Sequence, residues 1–345
     1  MRPFVLVCSL ALAGVVPAQA QASAEAHVAP VAPTASAEPE LRTLETVVVS
    51  GIRPGPALWK VSRGEHVLWL LGTVNPVPRG MEWYSPQSEA VLRHTQEIID
   101  RPRTGMSVGW GSAFKVAFAM PTIMRARELP DGKSLRDVLP PDLYARWLSQ
   151  KAAYLGPVKG IENWRPMFAA DKLYSAALGA AGLGADIGTD KRIGKLAGEY
   201  KIKRTANTIN YPITDPKGLA KSMAKADLDE VACFRSVLDR LDQDVAQAAQ
   251  RANAWAIGNI PELTRLVRNE RLDSCLQALA QVPALQAMGM QDAAGRAKAK
   301  WLASVDAALA ANAVSFGTLP MSELIAAEGL LAKLRGKGYQ VLAPE

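Results

Sequence analysis

The sequence predicts an α/β (α+β) fold: a mixed β-sheet core with flanking helices and a large helical insertion. Three observations carry this. Two adjacent strand-like runs, Leu58 to Ser62 and Val67 to Val74, open the globular part of the chain. A long middle stretch, Phe114 to Leu183, has helical periodicity. The C-terminal part then alternates helix and strand, which places helices against a sheet.

In chain order, Arg63-Gly64-Glu65 lies between the first two runs and predicts a hairpin. The second run, Val67-Leu68-Trp69-Leu70-Leu71-Gly72, is continuously apolar, as expected of a strand buried on both faces. Ser85 before Pro86 predicts a capped helix running through His94. Ile98 and Ile99 make a short core strand. Helical segments follow, with expected breaks at Pro121, Pro130, Pro140-Pro141, Gly156-Pro157 and Pro166, and Asp142 as a helix-capping candidate. The glycines of Gly179 to Gly188 do not fit GxGxxG, so a helix end and loop is the better account than a nucleotide site. A helix over Asp190 to Tyr200 leads to a weak strand at Ile202 to Ala206. Two helical patterns span Asp227 to Glu270 around Gly258-Asn259. A helix over Lys298 to Ala311, a strand at Ala313 to Phe316, a helix from Ser322 through Leu334 and a strand at Tyr339 to Leu342 complete the chain.

The chain has 345 residues, 49% of them hydrophobic, enough to bury a sizeable core. Its start is not core-like. Arg2, the apolar run Phe4 to Val16 and Ala18-Gln19-Ala20 form the three parts of a secretory leader, residues 1–20, cleaved after Ala20. The apolar run is too short to span a bilayer, and Cys8 within it is not at a lipidation site. Residues 21–55 have the composition of a flexible linker, rich in Ala, Pro and Ser; the globular domain is expected over 56–345. Thr46 to Gly51 resembles, over about six residues, the plug opening of TonB-dependent receptors, though an edge strand or extended linker is the plainer account. The expected location is the periplasm or the extracellular medium, with an envelope ligand or protein as partner.

Leader cleavage leaves Cys233 and Cys275. In an oxidising compartment a disulfide between them is expected, the alternative being two buried thiols. The net charge is +7, or +6 without Arg2, and it is scattered. The densest basic stretch, Lys191 to Arg204, has little aromatic interleaving and reads as a solvated face, so nucleic acid is not an expected partner. No later run is long and apolar enough to span a membrane.

Catalytic signatures are scarce. His27, His66 and His94 show neither HxxxH nor HExxH spacing, no GxSxG elbow is present, and no carboxylate pair stands out. The tryptophans are mostly core by spacing, with Trp110 in Gly109-Trp110-Gly111 a candidate pocket residue.

Pro56-Ala57-Leu58-Trp59-Lys60-Val61-Ser62, Leu70-Leu71-Gly72-Thr73-Val74, Ala254-Trp255-Ala256-Ile257-Gly258-Asn259 and the segment from Gly329-Leu330-Leu331 to Gly338-Tyr339 resemble, in the same order, motifs of TraB/GumN proteins. The resemblance covers residues 56–345. It includes the Tiki-like metalloproteases and implies a divalent-metal site built from two GxxH motifs and a glutamate after the second core strand. This chain departs at each position. Gly72 to Asn75 carries Asn75 in place of the first histidine. Gly317 to Pro320 carries Pro320 in place of the second. Arg101 occupies the glutamate position, next to Asp100. Imidazole binds first-row metals well, an amide weakly and proline not at all. A guanidinium about 4 Å from a dication costs about 8 kcal/mol at an effective dielectric of about 20. The expectation is a non-catalytic relative with no cofactor, whose remodelled site around Asn75, Asp100, Arg101 and Arg103 binds a ligand or partner or is kept only structurally. The alternative is a metal-dependent hydrolase or protease with ligands not identified from sequence.

Overall fold

The computed structural model describes residues 55–81, 85–108, 113–185, 188–226, 228–266, 275, 279 and 281–344. The leader 1–20, nearly all of the linker 21–55, and Gly109-Trp110 lie outside the described residues.

The organising element is a six-stranded mixed sheet. Its strands are β1 (Leu58–Arg63), β2 (His66–Thr73), β4 (Glu97–Ile99), β7 (Lys203–Thr205), β9 (Val314–Pro320) and β10 (Gln340–Leu342), in the spatial order β10-β1-β2-β9-β4-β7. β1 is antiparallel to both β10 and β2, whereas β2, β9, β4 and β7 run parallel. The hairpin forms as the sequence predicts: Arg63 pairs with His66 across a turn in which Gly64 takes φ 57°. The continuous apolar run becomes a central strand with Leu68, Leu70 and Leu71 fully buried, as a parallel strand covered on both faces requires. Phe316, Ile98 and Ile99 meet them in the sheet, and Trp255, Trp301 and Leu331 pack in the same core.

The helical middle has its own core. Leu143 and Trp147 of the helix Pro141–Tyr154, Leu173 of the helix Pro166–Ala180, and Phe234, Leu238 and Leu241 of the helix Glu230–Ala256 bury one another. The Trp147 and Phe234 rings lie 5.5 Å apart. A disulfide joins Cys233 to Cys275. No helix among the described residues is long and apolar enough to cross a membrane.

The capping signal at Ser85 was read correctly. The Ser85 side chain accepts from the Ser88 amide at 3.2 Å and Pro86 begins the helix Pro86–Arg93. Four expectations need correction. Pro121 does not break its helix, which runs Ala113–Arg125; the carbonyl it leaves without a donor belongs to Ala117, on the solvent side. The N-cap of Pro141–Tyr154 is Pro140, and Asp142 sits in the first turn, 3.4 Å from Arg235. Ser322 caps nothing: two short helices, Met321–Ile325 and Leu330–Gly336, flank an extended Ala326. Gly329 closes this break because a Cβ there would lie 2.5 Å from the Glu323 carbonyl oxygen. Four strands went unread: β3 (Val77–Pro78) with β6 (Leu183–Gly184), and β5 (Arg103–Ser107) with β8 (Thr208–Pro212).

Glu97, at the start of β4, is buried beneath three donors: the Thr205 hydroxyl, Asn312 Nδ2 at 2.7 Å and Lys203 Nζ at 3.1 Å. Burial opposes ionisation, but these donors outweigh it and hold the carboxyl below its ordinary value. A depressed folded value stabilises the fold above the unfolded carboxylate's value of about 4.3, and that stabilisation is lost as pH falls through the folded value. Glu97→Gln is therefore expected to flatten the acid limb of a plot of urea midpoint against pH. An acid limb as steep as that of the parent would contradict this account.

Candidate functional site

The four parallel strands end at one edge of the sheet, where open α/β sheets hold ligands. Gly72, Gly317, Pro320, Asn75, Asp100 and Arg101 lie along or just after these strands, and Arg103 opens β5. Gly72 is the penultimate residue of β2. Its carbonyl accepts from Trp255 Nε1 at 2.6 Å, and a Cβ at this position would lie 2.5 Å from the Met321 methyl group. Gly317, on β9, is confined in the same way: a Cβ there would stand 2.9 Å from Leu70 Cδ2 and 3.4 Å from the Ile99 carbonyl oxygen. The two motif glycines thus sit in tight packing, where a side chain would have to push the Met321 or Leu70 side chain aside.

Beyond Gly72, Thr73 pairs with Pro320 and its hydroxyl donates to the Leu319 carbonyl at 3.2 Å. Asn75 follows, exposed, with a cis bond to Pro76. Pro320 ends β9 and serves as the N-cap position of Met321–Ile325. This turns the chain at once and seats Met321 over Gly72.

Asp100 and Arg101 follow β4 and diverge, as the alternation of side chains along an extended chain requires. Asp100 Oδ1 accepts from Arg204 at 2.5 Å. Arg101 donates to Asp190 Oδ2 at 2.9 Å, and Arg103 donates to the same oxygen at 2.7 Å. Asp190 lies in the first turn of the helix Gly188–Glu199, where a negative charge is favoured by the helix dipole. Two guanidinium groups on one carboxylate leave a local charge of about +1. Arg103 is 47% exposed and Arg101 25% exposed, so the cluster opens to solvent.

Asn207, fully buried, fixes this corner. Its Nδ2 donates to the Asp100 carbonyl at 2.9 Å and its Oδ1 accepts from Ser304 at 2.7 Å. Sequence reasoning singled out neither Asp190 nor Asn207. The signal for Asp190 was an acid at the head of a helix after a glycine-rich loop. Asn207 carried none, because Asp100 and Ser304, which it joins, are distant in sequence.

The residues do not make a fitting donor set for a divalent metal. A primary amide, a guanidinium already paired with an acid, and a proline supply almost no ligand field. Among the described residues no three His, Cys, Asp or Glu side chains converge as a metal site would need. His66 and His94 are remote from this edge: His66 opens β2 with Nδ1 2.8 Å from the Asn312 carbonyl oxygen, and His94 ends the helix Pro86–Arg93. A groove of about 510 Å³ lies elsewhere, along β1 and β10, lined by Lys60, Trp69, Gln87 and Leu342 among others, and takes in none of the candidate residues.

No curated protein and no solved structure matches this chain significantly. The family model of the TraB/PrgY/gumN family matches residues 57–343, from the first strand to the end of the last. That span includes both motif glycines, the Trp255 helix and the whole sheet, and on it the chain belongs to the TraB/PrgY/gumN family.

Proposed function

We propose that this chain is an exported, non-catalytic member of its family, and that the end of its parallel strands binds an anionic group, carboxylate or phosphate, in place of a metal. The observation that carries the reading is the Arg101–Asp190–Arg103 cluster. Arg101 stands where the resemblance places a carboxylate ligand. Its permanent charge opposes a dication and suits an oxyanion, which two guanidinium groups can hold through paired N–H donors. The leader-like start and the paired cysteines support export, since disulfides persist in oxidising compartments.

Protein purified from the envelope without chelator tests the first half of the reading by elemental analysis. Substoichiometric Mn, Co and Zn is expected. Stoichiometric, tightly bound metal would overturn the proposal and establish a hydrolase with ligands recruited elsewhere. Calorimetric titration with inorganic phosphate and with acetate tests the second half: binding is expected in the parent and loss of it in Arg103→Ala. In the opposite direction, Asn75→His, Arg101→Glu and Pro320→His together should raise zinc affinity above the parent. A folded triple variant with no gain would show that these positions are not those of the family's metal ligands.

A further inference from the structure

The helix Ala113–Arg125 is packed the wrong way round for a helix with only water outside it. Its inner side holds Val116, Ala119 and Ile123, of which only Ala119 is buried, at 1% exposure, and Ala126 just past its end is 7% exposed. Its outer side carries Phe114 and Phe118, at 77% and 84%, together with Met120 and Met124. At 100° per residue, Phe114, Ala117, Phe118, Met120, Pro121 and Met124 fall within an arc of about 160°. Met106 and Val108, in and just after β5, are exposed as well. Contiguous exposed apolar surface of this kind marks an interaction site.

The charge around it says which kind. The helix Ala113–Arg125 carries Lys115 and Arg125 and no acid. The helix packed against it, Pro216–Lys225, carries Lys217, Lys221 and Lys225, all exposed and one turn apart, and again no acid. Its N-cap, Asp215, spends its carboxylate on the Gly218 amide at 2.8 Å. Exposed phenylalanine beside a lysine stripe is the composition of a surface that lies in an anionic membrane interface. A second copy seated face to face would bring five cations and one acid, Asp215, against the same set.

We infer that these two helices form a peripheral membrane-docking face for an anionic phospholipid bilayer. Phe114 and Phe118 enter the headgroup boundary, and Lys217, Lys221 and Lys225 lie over lipid phosphates. This is independent of the site at the sheet edge.

Flotation of the processed chain, starting near Gln21, with vesicles of equal parts phosphatidylglycerol and phosphatidylcholine tests it, with pure phosphatidylcholine vesicles and free inorganic phosphate as comparison arms. Binding is expected to the anionic vesicles only, weakened by salt and not competed by inorganic phosphate. Lys217→Glu, Lys221→Glu and Lys225→Glu together should lower it roughly 100-fold or more. Phe114→Ser with Phe118→Ser should lower it more than about tenfold. Both variants change exposed side chains, and their thermal unfolding should match the parent. No binding by the parent, or full binding by the serine variant, would overturn the inference. So would a parent that is dimeric by light scattering and becomes monomeric in the serine variant, since the face would then be a contact between copies.

Discussion

Arg165→Met is expected to lower the unfolding free energy by about 3–5 kcal/mol. Arg165 immediately precedes the helix Pro166–Ala180 and is buried, as is its partner Glu230, with side-chain exposures of 8% and 6%. Its Nε donates to Glu230 Oε1 at 2.6 Å. The remaining nitrogens donate to the carbonyls of Met223, Ala224 and Ala226, which end the helix Pro216–Lys225. One guanidinium thus neutralises a buried acid and caps a helix from a different part of the chain. Burial already pushes the Glu230 carboxyl up, against the pull of Arg165. Without the arginine the acid is left buried without its counter-charge, and three carbonyls each lose one donor, Met223 keeping the Ala226 amide. Urea denaturation measures the loss. Arg165→Met combined with Glu230→Met should recover part of it, because the uncompensated charge is removed along with its partner. A single variant that costs less than about 1 kcal/mol would show that the pair behaves as a solvated surface bridge.

Trp255→Ala is expected to cost a similar amount, about 3–5 kcal/mol, as removal of a large aromatic from a filled core. Trp255 is 1% exposed and packs in the core beneath the sheet. Its indole N–H reaches the Gly72 carbonyl across 183 residues of sequence, at 2.6 Å. Trp255→Phe separates the two contributions. It keeps most of the apolar contact but leaves a buried carbonyl short of a donor, for an expected loss of about 1–3 kcal/mol. Equal stability of the phenylalanine variant and the parent would mean that the hydrogen bond contributes nothing and that volume alone matters. This contact also gives a physical reason for two motifs of the family resemblance to occur together. The strand carrying Gly72 and the helix turn carrying Trp255 are acceptor and donor of one bond.

The site was legible in part. The residues at strand ends could be named from the sequence because the resemblance to TraB/GumN motifs marks their positions: Asn75 after β2, Arg101 with its neighbour Asp100 after β4, Pro320 at the end of β9. Their partners could not. Asp190 joins Arg101 from 89 residues away and Arg204 joins Asp100 from 104. Sequence spacing carries no information about such meetings, which depend on the order β2-β9-β4-β7 in the sheet. The pairing of β5 with β8 was hidden for a related reason. Arg103–Ser107 and Thr208–Pro212 are mostly exposed and show no apolar alternation, so neither announces itself as a strand until the other is beside it.

What the sequence determined by itself is local or compositional. The hairpin, the Ser85 cap, the buried central strand and the separate helical region follow from chain-neighbour sterics, capping chemistry and apolar periodicity, all of which act over a few residues. The cysteine pair followed from a count and an expected compartment. Only the tertiary structure decided what presses on Gly72 and Gly317, since the side chains that crowd them come from other elements. It also decided that Arg101 meets Asp190 and not its neighbour Asp100, because successive side chains of an extended chain point apart. And it decided that Phe114 and Phe118 face outward. The periodicity of the segment Ala113–Arg125 defines an apolar stripe, but which side of a helix faces the protein is settled by what packs against the other side.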